Sequence, residues 1–277
     1  MIKIETLEVS GFKGAILGMR NPFKTRDKSD SGVYDADSDG NPIFTIGKND
    51  LALAQKLLRG GDDDAKFMRM IHVQADITAP LYWWKEYVTN KVATTENSES
   101  TMHTITNREF TLEDFEYDGY SEYWESIILE LNELRRLFLE AKAKEKGGLE
   151  AYQIWRQLIQ MLPDSYLQKR TVDLNYQTLR RLYRARRHHK LVEWNKGFMD
   201  WIKTLPYSAE LITYEAPKEF PGIKLEDFYQ KRFEMIKQGY DEADQAAHFC
   251  MTIPAYRELV VASILHHRDL EKKNEAT

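Results

Sequence analysis

The chain has 277 residues, 42% hydrophobic and 12% aromatic, and a formal charge of −5. That is enough apolar material for a sizeable core, and the negative balance gives no general attraction to nucleic acid. The single cysteine, Cys250, excludes an intramolecular disulfide and a zinc site built on several thiolates, and no apolar run reaches the ~18 residues of a membrane span.

Residues 2 to 9 nearly alternate at Ile2, Ile4, Leu7 and Val9, which predicts a strand, and Phe12 to Met19 reads as a short helix. The opening residues lack the apolar core of a secretion signal, so a soluble protein of the cytoplasm is expected. Asn21 to Asn49, rich in Asp, Ser and Gly, reads as a long loop. A helix is predicted from Asp50 to Leu58, capped by Asn49 and closed by Gly60 and Gly61. Within MRMIHVQADIT the positions Ile71, Val73, Ala75 and Ile77 mark a central strand. Pro80 then opens an aromatic amphipathic helix that runs into threonines, serines and amides up to His103. Such a polar helix end exposes backbone N–H groups beside short hydroxyls, which suits an anion or a phosphorylated ligand.

Further along, a helical region begins at Leu112, and Tyr123 to Lys146 is a long amphipathic helix closed by Gly147 and Gly148. Leu149 to Met161 is another helix, broken by Leu162 and Pro163; Tyr166 to Val172 is a strand or an extended link. Leu174 to His189 and Leu191 to Thr204 are helical by apolar spacing, and Lys224 to Gly239 and Pro254 to Lys273 add further helices. The pattern is one mixed α+β domain with a helical C-terminal extension.

Four local signals bear on chemistry. DADSDGN, from Asp35 to Asn41, matches the first half of a calcium loop, but Ile46 stands where a bidentate glutamate is required, so it reads as a solvated acidic turn. TLRRLYRARRHHK carries Arg180, Arg181, Arg184, Arg186 and Arg187 with no carboxylate inside the run, which points to an external anion, either nucleotide phosphate or nucleic acid. With few interleaved aromatics the strand-binding option is the weaker one. His188 and His189 are adjacent and face different directions on a helix, which argues against a shared metal. Cys250 sits among Ala, Phe and Met, a core-like setting rather than a catalytic one.

Two stretches, ITAPLYWWKEYVTNKVATTENSESTMH and LPDSYLQKRTVDLNYQTLRRLYRARRHHKLVEW, resemble in order and spacing the signature segments of flavin-dependent thymidylate synthases. That family carries an Ala-Pro, an aromatic helix and an RHRxxSxNExSxRY motif, and later an Asn-containing strand end followed by an arginine-bearing helix. The resemblance spans roughly Val9 to Leu211, with an acidic insertion near residues 25 to 48. It implies a domain over residues 1 to 211, an antiparallel sheet flanked by helices, and a helical extension over 212 to 277.

It also implies a set of roles. Thr89, Asn90 and Lys91 stand at the RHR positions, Thr94 near the first serine, and Asn97 and Ser100 on the motif's asparagine and second serine. Met102 replaces the arginine that follows. Glu86 occupies the place of a substrate-contacting glutamine, Asn175 matches, Gln177 replaces an arginine, and Arg186 aligns with one. The resemblance thus assigns Asn90, Lys91, Asn97 and Asn175 to the cofactor and Glu86, Ser100, Gln177, Arg181 and Arg186 to the substrate. The implied ligands are FAD, deoxyuridylate (dUMP), methylenetetrahydrofolate and NADPH, in a homotetramer with sites between subunits. Thymidylate synthesis and a fold retained for nucleotide binding, regulation or assembly both remain open. Asn97 and Ser100 equally read as turn or cap residues, Trp83 and Trp84 as core, and Arg186 as a structural ion pair.

Overall fold

The computed structural model describes residues 2–36, 40, 42–90, 92–119, 121–144, 148–215, 223–249 and 251–275. Asp37, Ser38, Asp39 and Asn41 of the calcium-like loop, Lys91 of the signature, Gly147 and Cys250 lie outside the described residues. The chain divides into two units, Met1–Tyr214 and Glu215–Thr277.

The first unit begins with β1 (Lys3–Ser10) and α1 (Phe12–Met19). The stretch expected to be a loop contains two short 3-10 turns and an antiparallel hairpin, β2 (Gly32–Ala36) and β3 (Pro42–Thr45). α2 (Lys48–Gly60) starts two residues before the expected Asp50, with Gly47 at the N-cap position. Asn49 does not cap it; the Asp30 carboxylate reaches over from the preceding loop and accepts from the amides of Asn49 at 2.9 Å and Asp50 at 3.0 Å. A 3-10 segment, Asp64–Met70, leads into β4 (His72–Pro80), α3 (Leu81–Tyr87), β5 (Thr94–Ser98) and α4 (Thr101–Thr104). β5 lies in what the sequence suggested was a polar loop. A helical hairpin follows, α5 (Ser121–Lys144) and α6 (Leu149–Met161), then β6 (Leu167–Asn175) and α7 (Tyr176–Arg186). The expected helix from Leu191 is a π-helical turn, Glu193–Phe198, continued by α8 (Met199–Thr204), and a second π turn covers Ser208–Ile212.

The four long strands form one antiparallel sheet in the order β1-β4-β6-β5. Period-two alternation sorts its faces. Val73, Ala75, Ile77 and Ala79 of β4 and Val172 and Leu174 of β6 are buried on the helix-covered face. On the other face His72, Gln74 and Asp76 stand beside Lys169, Thr171 and Asp173, linked by His72–Asp173 at 2.9 Å and Lys169–Asp76 at 2.5 Å.

Trp83, Trp84 and Tyr87 of α3 are buried and pack with Trp194 and Phe198; the Trp83 and Trp194 rings lie 4.7 Å apart. Each such side chain removed from water contributes roughly 1.5–3 kcal/mol or more. Both tryptophans are therefore core residues. Asp50 is buried with Arg20 on its Oδ1 and the hydroxyls of Ser29 and Ser31 at 2.6 and 2.5 Å on its Oδ2. Burial alone raises its pKa, but these donors and the Arg20 charge outweigh that and hold it below the ordinary carboxylate value.

The second unit comprises α9 (Leu225–Lys237), α10 (Glu242–His248) and α11 (Ile253–Glu275), gathered on a small core of Phe228, Ala246, Tyr256 and Leu259.

Candidate functional site

The β6–α7 junction defines the site. Leu174 continues the strand's buried face, so the helix cannot start there, and Asn175 becomes its N-cap, accepting from the Thr178 amide at 2.9 Å. Gln177 and Arg181 are one turn apart and share a helix face. They line a cavity of ≈ 360 Å³ with Asn175, Thr178, Asp62, Arg69 and the backbone after α3 at Val92 and Ala93. Thr178 Oγ1 donates to the Val92 carbonyl at 3.2 Å, and Arg181 Nη2 to the Asn90 carbonyl at 2.8 Å, so α7 holds this wall in place. Ala93 has a φ of 59°, a left-handed conformation costly for any residue but glycine.

Arg69 arrives from the 3-10 segment and donates its Nε to Gln177 Oε1, while Gln177 Nε2 donates to the Asp62 carbonyl at 2.8 Å. Neither Arg69 nor Asp62 is marked by any sequence motif. They reach the cavity through tertiary folding alone.

The other residues singled out from the sequence lie in different settings. Glu86 and Arg186 meet each other, at 3.0 Å, with His189 Nε2 at 3.5 Å from the same carboxylate oxygen and the Arg186 guanidinium 5.6 Å from the Trp194 ring centre. Glu86 is thus the carboxylate partner that the basic run lacks within its own sequence. Asn97 is exposed on β5, opposite Thr171. Ser100 is the N-cap of α4, accepting from the His103 amide at 3.3 Å, and lines a separate cavity of ≈ 380 Å³ with Arg108, Asp114 and Tyr166. Within the basic helix, Arg180 is buried and its Nη1 donates to the carbonyls of Leu211, Ile212 and Tyr214.

The cavity's donor set includes cationic and amide groups, and among the described residues no aromatic side chain lines it. Guanidinium and amide N–H groups of this kind match the geometry of phosphate oxygens.

No protein-family model and no curated protein sequence matches the chain. Solved structures do. A thymidylate synthase X (ThyX) from Helicobacter pylori with FAD and dUMP superposes with a TM-score of 0.57 at 14% identity, over 76% of this chain and 97% of that one. A second, a flavin-dependent thymidylate synthase ThyX from the same organism complexed with FAD and dUMP, gives a TM-score of 0.55 at 15% identity over the same shares. At these identities the likeness is one of fold: an antiparallel sheet flanked by helices, as in those enzymes.

Proposed function

We propose that this chain binds FAD and a deoxyuridylate-type pyrimidine nucleotide and transfers a one-carbon unit from methylenetetrahydrofolate to that nucleotide. The observation that carries the reading is the convergence of Asn175, Gln177 and Arg181, with the Asn90 backbone, on one cavity, in a fold shared with proteins holding FAD and dUMP. The Arg181 guanidinium fits the phosphate-bearing part of either ligand, since its fork of N–H donors matches phosphate oxygens.

When bound, reduced flavin would supply hydride and the relay of the one-carbon unit, with NADPH as its reductant. The chain's own part is positioning and charge. Arg181 draws the phosphate toward α7 while keeping the Asn90 carbonyl in the wall, Asn175 fixes the helix start, and Thr178 ties that wall to the helix. No nucleophilic side chain is called for. The reading brings with it a cytoplasmic homotetramer.

A second reading, nucleotide binding without the thymidylate reaction, is favoured by specific contacts. Glu86 and Arg186 are spent on each other, and Ser100 on a helix cap, so three residues assigned to substrate are engaged elsewhere.

The absorption spectrum of the purified protein, followed by titration with FAD and then dUMP, tests both readings. Near-stoichiometric flavin uptake and conversion of dUMP support the first. Uptake of nucleotide with no turnover supports the second, and failure to take up either FAD or dUMP refutes both.

A further inference from the structure

Arg69 has no counterpart among the residues to which the family resemblance gives a role, and its geometry singles it out. Ion pairs with carboxylates occupy Arg20, Arg108, Arg136, Arg170, Arg186 and Arg257. Arg69 and Arg181 are among the described arginines outside such pairs, and what sets these two apart is that they line the same cavity. Each is anchored through a single nitrogen: Arg69 by Nε to Gln177 Oε1, Arg181 by Nη2 to the Asn90 carbonyl. A guanidinium carries five N–H donors, so anchoring by one edge sets its plane and leaves the rest for a ligand. Two cations line the cavity against one acid among its described lining residues, Asp62, which is ion-paired with neither; they repel each other, and an anion between them removes that cost.

We infer that Arg69 and Arg181 form a two-guanidinium clamp for a phosphate group, and that Gln177 is a positioning residue rather than a ligand. Both ends of the Gln177 amide are engaged, the oxygen by Arg69 and the nitrogen by the Asp62 carbonyl. The cations absent at Thr89, Asn90 and Met102 are thereby replaced from the 3-10 segment before β4. The phosphate is that of the nucleotide substrate or the pyrophosphate of the flavin. The inference rests on the nucleotide-binding reading, and its test separates the two.

Calorimetric titrations of the full chain use dUMP, deoxyuridine, FAD and inorganic pyrophosphate. Loss of one charge-assisted contact predicts that Arg69→Ala weakens dUMP or FAD about 10- to 100-fold and leaves deoxyuridine unchanged. Arg69→Lys restores part of the loss. Gln177→Ala weakens the same ligand, and adding it to Arg69→Ala costs nothing more, as a residue acting through Arg69 requires. Asp62→Asn, which removes the one acid among the described residues lining the cavity, tightens binding. An effect on dUMP assigns the clamp to substrate, and an effect on FAD alone assigns it to the flavin. Wild-type affinity of Arg69→Ala for both overturns the clamp while the function stands. If the wild type binds neither nucleotide but takes pyrophosphate in an Arg69-dependent way, the function fails and the clamp stands; if pyrophosphate is also ignored, both fall.

Discussion

Arg180 and Arg181 are neighbours in sequence and opposites in role, and exchanging each for alanine should give crossed results. Arg180 is 4% exposed, and its Nη1 donates to the carbonyls of Leu211 at 3.0 Å, Ile212 at 3.0 Å and Tyr214 at 2.6 Å. These oxygens lie at and just beyond the end of the second π turn, where carbonyls have no partner within the helix and a cation is favoured. One nitrogen bears two hydrogens, so at least two charge-assisted bonds are lost, each worth about 1.5–3 kcal/mol. The expected destabilisation of Arg180→Ala is therefore about 3–6 kcal/mol. At ~2–4 °C per kcal/mol for a unit of this size, the melting temperature falls by roughly 6–24 °C. Arg181 is exposed and makes one hydrogen bond to a carbonyl, so Arg181→Ala should cost about 1 kcal/mol or less. Binding should reverse the order: at a temperature where both variants are folded, Arg180→Ala keeps the wild-type affinity for dUMP, and Arg181→Ala loses at least tenfold. Circular-dichroism melts and calorimetric titration read the two quantities separately. An Arg180→Ala variant that melts within a degree or two of wild type, or that loses dUMP affinity while folded, would refute the division of labour.

Three further outcomes are expected. Asn175→Asp keeps the N-cap acceptor and should melt near the wild type, whereas Asn175→Ala should lose ~1 kcal/mol of stability; the Asp variant places a negative charge at the cavity, so phosphate binding that survives it unchanged would remove the cavity from the site. Asp50 has a lowered folded-state pKa, so its contribution is complete above the unfolded value near ~4 and is lost as the pH falls below that toward the folded value. Urea midpoints between pH 5 and pH 2 should fall steeply for the wild type and more gently for Asp50→Asn, which is already weaker at neutral pH because buried Arg20 loses its counter-charge. For Glu86 and Arg186, a double-mutant cycle on stability should return a coupling near 1 kcal/mol. No coupling in stability, together with coupling in nucleotide affinity, would move the pair into the binding site.

Where apolar residues repeat with the period of their element, the sequence was informative. Val73, Ala75 and Ile77 mark β4, and the bounds of α1 and α6 follow from their apolar stripes. β5 escaped because TTENS is a polar edge strand whose identity comes from pairing with β6, and no apolar alternation announces it. The β2–β3 hairpin escaped for a related reason: Val33, Tyr34 and Ile43 are exposed and Phe44 is only partly buried against the core, so no alternating buried face marks it. Trp194, Phe198, Trp201 and Ile202 are spaced as an α-helix would space them, and that spacing does not separate an α turn from the wider π turn that is present. In the cavity, Asn175, Gln177 and Arg181 are close in sequence and were legible together. Arg69 was not, because more than a hundred residues separate it from Gln177.

The wall of the cavity between Tyr87 and Thr94 is anchored at both ends. On one side Trp83, Trp84 and Tyr87 are embedded in the core; on the other, Glu96 of β5 pairs with Arg170 at 2.8 Å, whose guanidinium lies 4.3 Å over the Trp84 ring. One tryptophan therefore serves both abutments of a short span. Between those supports, Val92 and Ala93 are the described residues of the span that line the cavity. Replacing Trp84 would loosen both supports at once, turning a bridge into a hinge without touching a single residue that lines the cavity.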